Sequence, residues 1–361
     1  QLESAGMKRA MLQIQPNRIE DIVALVSLYR PGPMENIPLY ADRKAGREET
    51  TYPHPVMEPT LKETHGIIVY QEQVMKLAQD LAGYSLGAAD MLRRAMGKKI
   101  KAEMEKQRSI FAAGARENGL DEGLSSEIFD LIARFADYGF NKSHAAAYAA
   151  IAYQTAWLKC HHHDAFLAGS MNLDLNDTEK LGDAIAEARR SGITLLPPDI
   201  NRSRATFDLE GDLGRGGIRH GLAALKGLGM SLATEIVAER ERGGAYTSMR
   251  DFVTRNRSHI NKRAIESLVH AGALDAFCRN RRVMLDHIQP LIHETGRELQ
   301  RREAGQGSLF GLMEIANADR DDFPFEPDQP DLGHHERLVE EFKVLGIFLD
   351  GHPARLVHGQ N

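Results

Sequence analysis

The stretch Tyr138-Gly139-Phe140-Asn141-Lys142-Ser143-His144-Ala145-Ala146-Ala147-Tyr148 sets an aromatic-glycine turn directly ahead of an alanine-rich run. A turn there delivers an amide, an ammonium, a hydroxyl and an imidazole together. Alanine favours helix, so the run predicts one, with Tyr148 four residues beyond His144 on the same face. Donors grouped beside an aromatic ring suit a polyphosphate that carries a base: cations take the phosphates and the ring stacks the base. Ala145 to Ala150 and Ile151 read as core. Lys142 and His144 do not, because nothing in the pattern needs a charge there. Phosphate contact is expected of Lys142, with Asn141 beside it. His144 either donates to a phosphate or caps the helix, and Tyr148 is expected near the base.

Outward from that run the chain reads as mostly helical. Residues 7 to 28 form two short helices, broken at Gln15-Pro16-Asn17. Tyr29-Arg30-Pro31-Gly32-Pro33 forces an extended turn, since each proline fixes its own backbone and biases its predecessor. Arg30, locked beside that turn, is either a piece of a rigid corner or a phosphate or template contact. Gly66 to Tyr70 is short and β-branched, and Gln71 starts an amphipathic helix. Residues 86 to 118 are helical, and between Met91 and Arg116 they carry Arg93, Arg94, Lys98, Lys99, Lys101, Lys106, Arg108 and Arg116 against Glu103 and Glu105 alone. Arg93 and Arg94 sit one turn before Lys98 and Lys99. Several cations can therefore converge on one anion, guanidinium taking oxygens in pairs and lysine acting as a mobile point charge. Spacing alone leaves a solvated basic face open as the alternative. Further helices are expected at 121 to 136, at 143 to 168 (long and mostly buried) and at 177 to 191, with a strand at 192 to 196.

After residue 204 the texture changes. Phe207 to Leu209 and Gly217 to His220 read as a β-hairpin. Leu225-Lys226-Gly227-Leu228-Gly229 then opens a helix and fits a helix-hairpin-helix turn. Its glycines permit close backbone approach, and amides at the helix start can hold a DNA phosphate without reading sequence. Ala271-Gly272-Ala273-Leu274 has the look of a degenerate second copy; an ordinary αα-hairpin is the alternative. A polar helix runs from 281 to Glu303. Gln306-Gly307-Ser308-Leu309-Phe310 follows it, a peptide whose terminal Leu-Phe pair can plug an apolar pocket. His161-His162-His163 invites a metal reading, but adjacent helical residues point to different faces and cannot chelate one ion together.

The chain has 361 residues, enough for two or three domains, and 42% of them are apolar. The net charge of −6 argues against a uniformly basic binder but leaves local patches free to contact nucleic acid. Two cysteines far apart, Cys160 and Cys278, fit a reducing cytosol and make no disulfide framework. No apolar run is long enough to span a bilayer, and no secretory leader is expected. A start at Gln1 rather than Met suggests an internal piece of a larger protein.

These motifs together resemble the alpha subunit of bacterial DNA polymerase III, the DnaE type of the C-family replicative polymerases. The likeness runs through Gln1-Leu2-Glu3-Ser4, Tyr29 to Pro33, Tyr70 to Met75, Met91 to Lys99, Gly139 to His144, Leu196 to Asn201 and Leu345 to Pro353. The resemblance implies a mainly α, multidomain chain with small β elements. It implies palm edge and fingers over 1–204, a hairpin plus tandem helix-hairpin-helix domain over 205–280, a helix and sliding-clamp motif over 281–314, and a linker over 315–361 toward an OB-type domain. The implied function is part of a cytoplasmic replicative nucleotidyltransferase, adding dNTPs to a primer 3′ end under template direction. Arg30, Arg93, Arg94, Lys98, Lys99, Asn141, Lys142, His144 and Tyr148 would hold nucleotide or strand phosphates. Lys226 to Gly229 would touch duplex DNA. Gln306, Leu309 and Phe310 would dock on the clamp, the beta subunit, among other replicase holoenzyme subunits. Such enzymes use Mg2+ held by palm aspartates. That Pro-Asp-x-Asp type of string does not occur here, so catalytic residues are expected outside this chain. Ala45 stands where the resemblance leads one to expect histidine, and His162-His163-Asp164 replace an aromatic-proline pair and its follower. The rivals are an error-prone paralogue of the same family and a non-catalytic DNA-binding scaffold.

Overall fold

Helix ends fall where the sequence loses its apolar period. A computed structural model describes residues 2–98, 101–136, 138–211, 216–303 and 329–349. Helix α1 (Ala5–Ile14) starts at Ser4, whose hydroxyl accepts from the Met7 amide at 3.2 Å, and stops at Gln15 in left-handed backbone (φ 51°). Such a cap contributes about 1 kcal/mol. Helix α2 (Ile19–Leu28) follows, then a short 3-10 turn and α3 (Ile37–Lys44). The chain divides into two compact units, Gln1–Trp157 and Leu158–Asn361.

The first unit holds two apolar cores. One gathers α1, α2 and α3 with Ile67, Val69 and Tyr70 and the buried Ala145 and Ala149. Its polar centre is Asp21, fully buried in α2. Asp21 accepts from the Asn17 amide (3.1 Å), Arg18 (3.1 Å), the Tyr40 hydroxyl (3.0 Å) and Lys44 (3.1 Å). Four donors answer a carboxylate that would otherwise be prohibitively costly to bury. The second core packs α4 (Glu58–Leu61), α5 (Gln71–Ala82), α6 (Leu86–Lys98), α7 (Lys101–Glu117) and α8 (Glu122–Ala136) around Leu77, Leu92, Phe111 and Phe129. The β-branched segment at 66–70 forms no strand: it leaves a turn at Gly66 (φ 79°) and makes one parallel bridge, Tyr70 with Phe140.

Helix α9 (Lys142–His161) ends where His162 leaves helical backbone, and α10 (His163–Leu173) restarts beyond it. The expectation of one buried helix over 143–168 is therefore corrected. Only Ala145, Ala149 and Ala152 of α9 are buried, and Ile151, expected in the core, is 56% exposed. An alanine-rich helix buries one narrow ridge. Composition signals helix there, but it carries no apolar period that would tell which face goes in.

The second unit has one continuous core. Helices α10 and α11 (Thr178–Arg190) pack with a three-stranded sheet in the order β1-β3-β2. Strand β1 (Thr194–Leu196) runs parallel to β3 (Gly217–Arg219), and β2 (Asp208–Glu210) pairs with β3 antiparallel as the expected hairpin. Helices α12 (Gly229–Gly243), α13 (Met249–Arg255), α14 (Lys262–His270), α15 (Arg281–Glu303) and α16 (His334–Leu345) complete it. Leu167, Met171, Leu181 and Ile185 share this core with Phe252, Leu268 and Leu274. The division at Trp157 thus falls earlier than the boundary near 204 read from the sequence.

Candidate nucleotide and DNA interface

Segments far apart in the chain meet at the turn before α9. Phe140 donates its amide to Val69 O (3.1 Å), and Phe140 O accepts from the Gln71 amide (2.9 Å). The starts of α5 and α9 are thereby locked together. Glu72, in the first turn of α5, also accepts the Lys142 amide through both carboxylate oxygens, at 3.1 and 3.0 Å. One carboxylate therefore sits against the positive ends of two helices.

The rigid turn at Tyr29–Pro33 lies against this junction. Gly32 has φ +97°, and a Cβ there would meet the Tyr138 ring at 2.6 Å, so both backbone and space demand glycine. Arg30 donates to Tyr138 O at 2.7 Å and to Ser27 O at 2.9 Å, and lies 4.4 Å over the Phe140 ring. Desolvation lowers its pKa from the ordinary arginine value. Gln71 donates to Gly139 O (3.0 Å) and accepts from Arg93 (3.4 Å). Arg93 also binds Asp90 at 2.7 Å, and that hydrogen bond holds the Asp90 carboxyl below its usual value.

The sequence-flagged residues thus separate into groups. Arg30, Arg93, Asn141, Lys142, His144 and Tyr148 come together through these contacts. Asn141 accepts the His144 amide at 2.8 Å and acts as the helix cap, a task the sequence reading gave to His144 as one of two options. The His144 ring lies 5.4 Å from Phe140 and 4.7 Å from Tyr148, making an exposed aromatic ladder along α9. Lys142 is bound at 2.7 Å to Glu63 and sits 5.3 Å over Tyr70. Arg94 reaches only as far as Asp90 (2.8 Å) among its ion pairs and is 67% exposed. The side chain of Lys98, all of Lys99, and Gln306, Leu309 and Phe310 lie outside the described residues.

Glu63, Gln71, Glu72 and Asp90 were not among the expected site residues. An acid in a first helical turn is a local signal that points to Glu72. Nothing local points to Glu63, which finds its partner 79 positions away. Mg2+ does not fit among these groups. Each carboxylate touching the turn is already engaged by a cation or an amide, and no cluster of three or more acids, histidines or cysteines that could hold a metal occurs among the described residues.

The hairpin at 225–229 is built from backbone. Leu225 and Leu228 are buried, whereas Lys226, Gly227 and Gly229 face outward. Gly227 has φ +101° and packs near Ser267 of α14, and Gly229 (φ +67°) opens α12. The Lys226 amide donates to Val344 O of α16 at 3.0 Å. The second copy, Ala271 to Leu274, closes α14 with Gly272 N bonded to Val269 O (3.0 Å) and Ala273 N to Leu268 O (2.9 Å). Behind it lies the buried Arg281, bound to both oxygens of Asp275 (2.9 and 2.8 Å) and to His270 O (2.9 Å).

The sequence pattern described as "Bacterial DNA polymerase III alpha subunit finger domain" matches residues 1–119, and that of a "Helix-hairpin-helix motif" matches 192–284. DNA polymerase III subunit alpha of Xylella fastidiosa (strain Temecula1) is 47% identical over 358 residues, 98% of this chain and 29% of the relative. The same subunit of Caulobacter vibrioides is 48% identical over 98% of this chain and 30% of the relative, and that of Thermus aquaticus is 46% identical over 98% and 28%. Over the aligned segment, the chain belongs to the bacterial DNA polymerase III alpha family. It spans less than a third of the length of these relatives. The mainly helical class agrees with the sequence expectation for this family. No helix among the described residues is long and apolar enough to cross a membrane.

Proposed function

We propose that this chain is the fingers and DNA-contacting part of a replicative DNA polymerase, working in the cytoplasm. The whole polymerase would extend a primer 3′ end with dNTPs, using Mg2+ on carboxylates in the part of its relatives that this chain does not span. The observation that carries the reading is the convergence of Arg30, Arg93, Lys142, His144 and Tyr148 on the Tyr138–Asn141 turn. Lys142 would take triphosphate oxygens as a point charge, with His144 donating beside it. Tyr148, exposed at the end of the aromatic ladder, would stack the base. Arg30 has a supporting part, since it braces the turn from beneath through Tyr138 O and the Phe140 ring. Lys226 to Gly229 would hold duplex backbone, and Gln306 to Phe310 would dock on the sliding clamp beside other replicase subunits.

Calorimetric titration of the chain with a dNTP tests the first part. Lys142→Ala is expected to weaken binding by about tenfold, the scale of one charge-assisted contact. Unchanged affinity would remove Lys142 from the site.

A further inference from the structure

The geometry points to Glu63 as a built-in rival of the incoming triphosphate, occupying the Lys142 ammonium until the ligand displaces it. This rests on the proposed role of Lys142.

Two carboxylates already hold the anion positions at the start of α9, and they hold them differently. Glu72 meets the Lys142 backbone amide with both oxygens, at 3.1 and 3.0 Å. Its own position is set by the joined starts of α5 and α9. The positive end of α9 is therefore filled by the fold itself, and a phosphate can reach this helix only through side chains.

Glu63 is the less satisfied partner. One oxygen lies 2.7 Å from Lys142 Nζ, while Oε1 is buried and has no hydrogen-bond donor. The hydroxyl of Tyr70, whose ring lies under the Lys142 ammonium, is likewise buried without a partner. A carboxylate with a buried lone pair left unmet is a costly arrangement. The backbone around Glu63 is fixed: Arg18 donates to Glu63 O at 2.8 Å, and Thr64 bonds Ile67 O at 2.6 Å and Gln73 at 2.8 Å. The mobile half of the pair is thus Lys142, a four-carbon arm whose side chain is 40% exposed. It can swing to a polyphosphate, which carries more charge than one carboxylate, while Glu63 stays where its loop holds it. Binding then costs the ion pair, and Glu63 sets the affinity without touching the ligand.

Inorganic triphosphate and a dNTP are titrated calorimetrically into the chain and its variants. Glu63→Gln, which keeps shape and removes charge, is expected to tighten both ligands by about fivefold, the upper range for a half-exposed pair. Glu63→Ala should move affinity in the same direction, which guards against an effect special to the amide. In a Lys142→Ala background, Glu63→Gln should change nothing. If Glu63→Gln leaves affinity unchanged or weakens it while Lys142→Ala still reduces binding, the rival-anion inference fails and Lys142 keeps its role. If Lys142→Ala has no effect, both fall together.

Discussion

The two candidate binding regions are made of different atoms. Around Tyr138–Tyr148 the chemistry lies in side chains gathered from residues 30 to 148, and nearly every charge there has an internal counter-charge or carbonyl. At Leu225–Gly229 it lies in backbone, five consecutive residues shaped by positive φ and buried leucines. A side-chain site can be tuned or masked by one acid elsewhere in the chain. A backbone site can only be kept or lost with its fold.

The sharpest test of this contrast lies beneath the side-chain region. Asp21→Ala would leave Lys44, Arg18 and the Tyr40 hydroxyl without their shared carboxylate. It is expected to destabilise the first unit by about 3–5 kcal/mol in urea unfolding, because a buried charge loses its partner. A change near zero would mean that the polar centre is solvated and that the side-chain region does not stand on it.

The second test is one of pH and concerns the other unit. His220 is fully buried against Phe207, its Nδ1 2.9 Å from Gly221 O and its Nε2 without a partner. Burial lowers its pKa from 6.5 to about 4. The unfolded chain then binds the proton more readily than the folded one. Stability is full above pH 6.5 and declines as pH falls toward about 4, by about 3 kcal/mol in total. Unfolding midpoints of the wild type and His220→Gln, followed from pH 7 to 4, should differ in slope over that window. Parallel curves would refute the buried neutral imidazole.

The smallest effect separates the regions most directly. Gly227→Ala, at φ +101° and with Ser267 Oγ 3.1 Å from the new methyl, should cost about 1–2 kcal/mol and weaken duplex binding. Triphosphate affinity should not move. If it does, the two regions are one functional surface and the contrast is broken.

The sequence displayed these regions unequally. Gly227 and Gly229 are local signals, because a positive φ and a close approach leave few other residues available. The break at Gln15–Asn17 and the β-hairpin were readable for the same reason: caps and turns are encoded within a few positions. The charges of the first region were readable as charges, but their pairing was not. Whether Lys142 meets solvent, phosphate or Glu63 depends on a contact across 79 positions, and periodicity carries no such information. The packing of Gly32 on Tyr138 was hidden in the same way. Ile151 was misplaced because an alanine run says helix without saying which side faces in.

The bond from Lys226 N to Val344 O ties the outward loop of the hairpin to a helix more than a hundred residues downstream. That single amide proton is a natural sensor. Its exchange with deuterated solvent should be slow while α16 is seated and fast once it lifts, so one resonance reads the docking of the last described helix without any added label.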